Sequence, residues 1–133
     1  MNAEDLAIRT KKFAVRIVRL SAALPRTREA EVLGRQVLRS GTSIGANYRE
    51  ARRARSRPDF LSKIVVCTQE PDETCYWLEL LGEAEIVKPS RWSNILDEAS
   101  QLVAIFTASG RTASKRKNGN GKRKNGNGKR SSV

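Results

Sequence analysis

Five arginines fall within nine residues of this chain, at Arg49, Arg52, Arg53, Arg55 and Arg57. The guanidinium is planar, permanently charged and shaped to fork onto phosphate oxygens, so this density of arginine is anion-binding chemistry. A second basic segment follows near the C-terminus. KRKNGNG occurs twice in succession, bringing Lys115, Arg116 and Lys117, then Lys122, Arg123 and Lys124, before Lys129 and Arg130. The last acidic residue is Glu98, so most of the formal net charge of +12 belongs to the final third of the chain. Nucleic acid, RNA or DNA, is the partner both segments fit. No aromatic residue interleaves with the tail, which leaves no platform for base stacking, so contact is expected to be electrostatic and sequence-tolerant. Two plainer readings stand beside this one. Arginines at the end of a helix also satisfy its last carbonyls and its dipole, and a basic tail can serve solubility alone.

Other chemistry is poorly provided for. The chain has no histidine, the commonest general base and metal ligand. Cys67 and Cys75 sit eight residues apart on one helical segment, roughly 12 Å along its axis, too far for a disulfide. They read as small buried hydrophobes, and two lone thiols without a signal-peptide pattern point to a cytoplasmic protein. Glu70, Asp72, Glu73, Glu79, Glu83 and Glu85 make one segment acidic, which reads as a solvated face or a partner for arginines. No catalytic residue, metal site or cofactor is expected. Tyr76, Trp77 and Trp92 lie in apolar stripes and read as core or interface residues.

The stretch Ser40-Gly41-Thr42-Ser43-Ile44-Gly45 poses a sharper choice. A phosphate-binding loop would need a preceding strand and a Gly-Lys-Ser/Thr ending, and neither is present. The reading preferred is a continuous helix thinned for close approach, with Ser40, Gly41, Ile44, Gly45 and Tyr48, together with Trp77, as helix-contact or subunit-interface residues. Whether that contact lies inside one bundle or between subunits stays open.

These residues must be carried by helices. Apolar residues recur at three- and four-residue spacing in four segments, with no period-two alternation. Leu6, Phe13, Ile17, Leu20 and Leu24 mark the first, from Ala3 to Ala23, which Pro25 ends. Leu33, Val37, Ser40, Ile44 and Ala51 mark the second, with Thr27 as N-cap. The third opens on Ser56-Arg57-Pro58-Asp59, a capping signal, and runs to Ala84 with Pro71 on its seam. Proline there removes a backbone donor and clashes with the preceding turn, predicting a kink or break between Cys67 and Pro71. Lys88-Pro89-Ser90 separates the fourth, marked by Trp92, Ile95, Ala99, Leu102 and Phe106 and expected to end at Gly110. Residues 111–133 lack large apolar side chains before Val133 and are expected to form a disordered tail. No apolar run approaches a membrane span. The expected fold is all-α, an antiparallel up-down four-helix bundle over residues 1–110. Leftover apolar residues, among them Ile8, Val15, Val18 and Val65, form second stripes that hint at a further interface.

GRQVLRSGTSIGANYREARRARSRPDF, DETCYWLELLGEA and LVAIFTASGRTA, in that order and spacing, resemble the four-helix-bundle proteins encoded in intervening sequences of bacterial 23S rRNA genes. That family is similar in turn to the accessory variability determinant of diversity-generating retroelements. The resemblance spans Ala3 to about Ala113. It implies a homopentameric barrel without catalytic residues, and relatives that bind a reverse transcriptase and nucleic acid. Pro71 and the duplicated tail depart from the family pattern.

The function expected is that of a non-enzymatic, oligomeric nucleic-acid-binding accessory protein, acting with a reverse transcriptase or on structured RNA. The alternative is a protein-interaction scaffold that docks a protein partner without touching nucleic acid.

Overall fold

A computed structural model describes the chain from Met1 to Ser131, with side chains described as far as Lys115. It contains four helices: α1 (Ala3–Ala22), α2 (Arg28–Arg52), α3 (Arg57–Glu83) and α4 (Pro89–Ser131). Short connections turn each helix back along its predecessor, giving the expected antiparallel up-down bundle. Each helix packs on its neighbours in chain order, and α1 meets α4 along a sparse seam that closes the bundle.

Local chemistry sets the helix starts. Thr27 and Ser56 are N-caps as anticipated, their hydroxyls accepting from Ala30 N (3.1 Å) and Asp59 N (3.2 Å). α1 adds a capping box that was not anticipated. Asp5 N donates to Asn2 Oδ1 at 2.8 Å, and Asn2 N donates to the Asp5 carboxylate at 3.3 Å.

The core contains most of the seam residues read from the periodicity of the first, second and fourth segments, joined by residues of α3. Phe13, Ile17, Val37, Ile44, Ile64, Leu78, Leu81, Leu102 and Phe106 are all fully buried, and their removal from water is the main force holding the helices together. Thr10, Ser40 and Thr74 share that interior. The Ser40 and Thr74 hydroxyls lie 2.9 Å apart across α2 and α3, and Thr74 Oγ1 also donates to Glu70 O at 2.8 Å. Thr10 Oγ1 donates to Leu6 O at 3.0 Å, so each of these three hydroxyls has a partner.

Two expectations about the helices are corrected. Of the kink or break expected at Cys67–Pro71, the break does not occur: α3 is one helix through Pro71, which is itself fully buried on the core face. Packing of its ring among the other helices offsets the lost backbone bond. Gly110 does not end α4 either. Thr112 Oγ1 bonds Ala108 O at 3.0 Å, and the helix continues past the glycine. Gly110 is half-buried, and a Cβ there would lie an ordinary 3.5 Å from Ile64, so nothing in the packing forces a stop. The disorder expected of the tail falls mainly on residues 116–133, whose side chains lie outside those described.

Candidate nucleic-acid interface

The Ser40–Gly45 stretch is settled first, because it decides what α2 can offer. It is helical throughout, which removes the phosphate-loop reading. Ser40, Gly41, Ile44 and Tyr48 are buried and Gly45 is half-buried. A Cβ on Gly41 would stand 2.8 Å from Ile17 Cγ1, and one on Gly45 would stand 3.3 Å from Thr10 Oγ1. The thinned face is therefore where α1 approaches α2, inside one bundle. Trp77 is half-buried, with Nε1 donating to Glu73 at 3.1 Å and its ring edge-on to Tyr76 at 5.0 Å.

With that face occupied, the arginines lie where α2 runs out of partners. Arg49, Arg52, Arg53, Arg55 and Arg57 are all exposed, spread over the last turn of α2, its cap, the connection and the first residue of α3. Several contacts fix which end of the bundle this is. Tyr48 OH donates to Ala3 O at 3.4 Å, and the Tyr48 and Phe106 rings meet edge-to-face at 5.5 Å. Gly110 faces Ile64. The start of α1, the end of α2, the start of α3 and the Phe106–Gly110 portion of α4 thus share one pole. α4 carries the exposed Arg111 and Lys115 beyond it. The arginine cluster and the origin of the basic tail, some sixty residues apart in sequence, meet at one end of the molecule.

Acids at this pole neutralise part of the charge. Arg52 reaches Glu4 at 3.2 Å, and Lys63 reaches Glu50 at 2.7 Å, a bond that raises the Lys63 pKa. Arg49, Arg53, Arg55 and Arg57 form no ion pair among the described residues. A cluster of cations held by short helical segments raises the local anion concentration and can bind successive phosphates. The tail residues Arg116, Lys117, Lys122, Arg123, Lys124, Lys129 and Arg130 lie outside the described side chains. Arg111, which continues the basic surface, was not singled out from sequence because it stands alone between the two clusters.

A second feature was illegible in the sequence. Arg9 on α1 grips Glu98 on α4 through Nε (2.8 Å) and Nη2 (2.6 Å), and Gln101 joins at 2.6 Å. The bidentate bond to Glu98 raises the Arg9 pKa. Beside it opens a cleft of about 360 Å³ lined by Asp5, Ile8, Arg9, Lys12, Phe13, Arg16 and Glu98. The acids of α3 are engaged in part, Glu70 and Glu73 both pairing with Arg39. Among the described residues no group of three or more potential ligands converges on a metal position, and no helix is long and apolar enough to cross a membrane.

Residues 5–108 match the 23S rRNA-intervening sequence protein family. This chain belongs to that family. A protein of unknown function from the S23 ribosomal protein family of Bacteroides thetaiotaomicron has a similar crystal structure. It is 37% identical, with a TM-score of 0.78 over 84% of this chain and 99% of that one. No curated protein matches the chain. The family match ends at residue 108, before the duplicated KRKNGNG segment begins.

Proposed function

We propose that this intervening-sequence protein is a non-enzymatic nucleic-acid-binding accessory factor of the cytoplasm, which grips the phosphate backbone of structured RNA or DNA at its basic pole. The observation that carries this reading is the convergence of Arg49–Arg57 with the start of the basic tail at one end of the bundle. The resemblance to retroelement accessory proteins extends it to a reverse transcriptase as the protein that would share the nucleic acid. Self-association, as the pentamer of similar proteins implies, would multiply the arginines into a ring.

Fluorescence-anisotropy titration of the full chain with labelled RNA and DNA duplexes tests the proposal. If about six charges meet phosphates of a DNA duplex, log K falls with log salt at a slope of about −5. Arg53→Glu, Arg55→Glu and Arg57→Glu combined should weaken binding to both nucleic acids and flatten that slope. A wild-type chain silent toward both at low salt sinks the proposal. It would leave the scaffold reading, which the exposed Tyr76 on α3 favours.

A further inference from the structure

α1 meets α4 more loosely than any other adjacent pair of helices meets, and the cleft of about 360 Å³ opens on that seam. Its volume lies within the range of small-molecule sites. Three cations and two carboxylates line it, together with Ile8 and Phe13. Both carboxylates are committed: Arg9 holds Glu98 through Nε and Nη2, and Asp5 accepts from Asn2 N at the helix cap. That leaves Lys12 and Arg16, which form no ion pair among the described residues. They stand four residues apart, so their side chains rise from one side of α1. Arg16 is half-buried, and a guanidinium drawn partly out of water without a counter-charge gains from an anion that reaches it. α1 has no acidic residue from Leu6 to Ala22, and exposed Lys11 and Arg19 add to the local positive field.

We infer that this cleft is a binding site for a small phosphate monoester with an apolar body, its phosphate between Lys12 and Arg16 and its body against Ile8. Charge selects the head. A phosphate monoester carries roughly −1.5 to −2 near neutral pH and offers three acceptor oxygens, which answers two unpaired cations. A carboxylate or a backbone phosphodiester, with a single charge, leaves one of them unanswered. Ile8, 47% exposed at the rim, and the buried Phe13 supply an apolar wall. The bonds from Arg9 to Glu98 and Gln101 tie α1 to α4 alongside, so the walls are held before a ligand arrives. Position along α1 orients the ligand. Asp5 lies eleven residues before Arg16, about 16 Å along the axis, so the anionic head takes the Lys12–Arg16 end and avoids the Asp5 end. The Asp5 end points toward the basic pole, where α1 begins and Tyr48 meets Ala3. A nucleic acid held at that pole meets a carboxylate first, so the ligand is a free small molecule and not the phosphorylated end of a strand. The site is independent of the pole and of the nucleic-acid reading.

Isothermal titration calorimetry of the full chain with phenyl phosphate tests the site. Wild type should bind it, and should bind benzenesulfonate (the same ring with one charge) and inorganic phosphate (no body) more weakly. Lys12→Gln and Arg16→Gln, which keep long polar side chains, should each weaken phenyl phosphate at least about tenfold. Ile8→Ser should weaken phenyl phosphate and leave inorganic phosphate unchanged. Arg53→Glu, Arg55→Glu and Arg57→Glu combined should leave phenyl phosphate unchanged. Circular dichroism confirms that each variant folds. Affinity that falls with the pole variant and survives Lys12→Gln and Arg16→Gln moves the site to the pole and overturns the inference. Inorganic phosphate bound as tightly as phenyl phosphate overturns the apolar wall. Displacement of phenyl phosphate by an RNA oligonucleotide with a terminal phosphate, and not by the same oligonucleotide without it, overturns the small-molecule source. No binding of millimolar phenyl phosphate at two temperatures overturns the site itself.

Discussion

Glycines in this bundle differ by what stands opposite them, and that difference predicts opposite outcomes for one substitution. Gly41 lies against Ile17 so closely that a new methyl would sit 2.8 Å from Cγ1 and 2.9 Å from Cγ2. Ile17 is fully buried and cannot retreat, so Gly41→Ala should cost about 1–3 kcal/mol by overpacking despite better helix propensity. Gly110 has 3.5 Å of clearance, so Gly110→Ala should stabilise the fold by up to about 1 kcal/mol. Urea denaturation of the two variants checks both signs. Cys67 shows the same control by surroundings. Burial, helped by the Glu50 carboxylate, pushes its thiol from an ordinary 9.0 up to about 12. The native state therefore holds this proton more tightly than the unfolded state. The contribution to stability is complete below about pH 9 and is lost as pH rises toward about 12. In Cys67→Ala the fall of the urea midpoint across that window should be shallower.

At the scale of the element, starts were easier to read than ends. Thr27 and Ser56 announce their helices because a cap is a local bond between residues three apart. The end of α3 uses the same kind of local geometry with an unexpected residue. Ile86 N bonds Leu81 O at 3.0 Å and Glu85 N bonds Gly82 O at 3.0 Å, a Schellman pattern. Glu85, at φ 59°, fills the left-handed position where glycine is usual. Glu85→Gly should therefore gain about 1 kcal/mol, measured as a rise in the urea midpoint. The nearby Gly82 serves another purpose: a Cβ there would stand 2.4 Å from the Trp92 ring, so the glycine seats the indole. Pro71 and Gly110 mark the limit of propensity as a guide. Both residues argue for a helix end, and packing along a long amphipathic face overrides them.

Across the whole molecule the consequence is an uneven distribution of charge. Unpaired arginines and the start of the basic tail, Arg111 and Lys115, gather at one pole, while the carboxylates of α3 line one flank. Like charges crowded together repel, and a polyanion that binds there relieves that repulsion. A short duplex should therefore raise the melting temperature of the full chain at low salt, with the rise vanishing as salt increases. Melting curves at two salt concentrations, with and without duplex, test this. The pole itself was half legible. Both basic segments are conspicuous in the sequence, but their meeting depends on Tyr48 reaching Ala3 and Phe106.

By itself the sequence determined four amphipathic helices, two of their caps, most of the core, the family and the chemistry of the two basic segments. These rest on spacings of three and four residues or on composition, both properties of the chain alone. Only the tertiary structure decided that the Ser40–Gly45 face is internal, that Pro71 and Gly110 are helical, and that Arg9 clamps Glu98. It also decided that Lys12 and Arg16 line a cleft on the seam between α1 and α4. Each of these depends on which side chain stands across from another, a long-range pairing that no local pattern encodes.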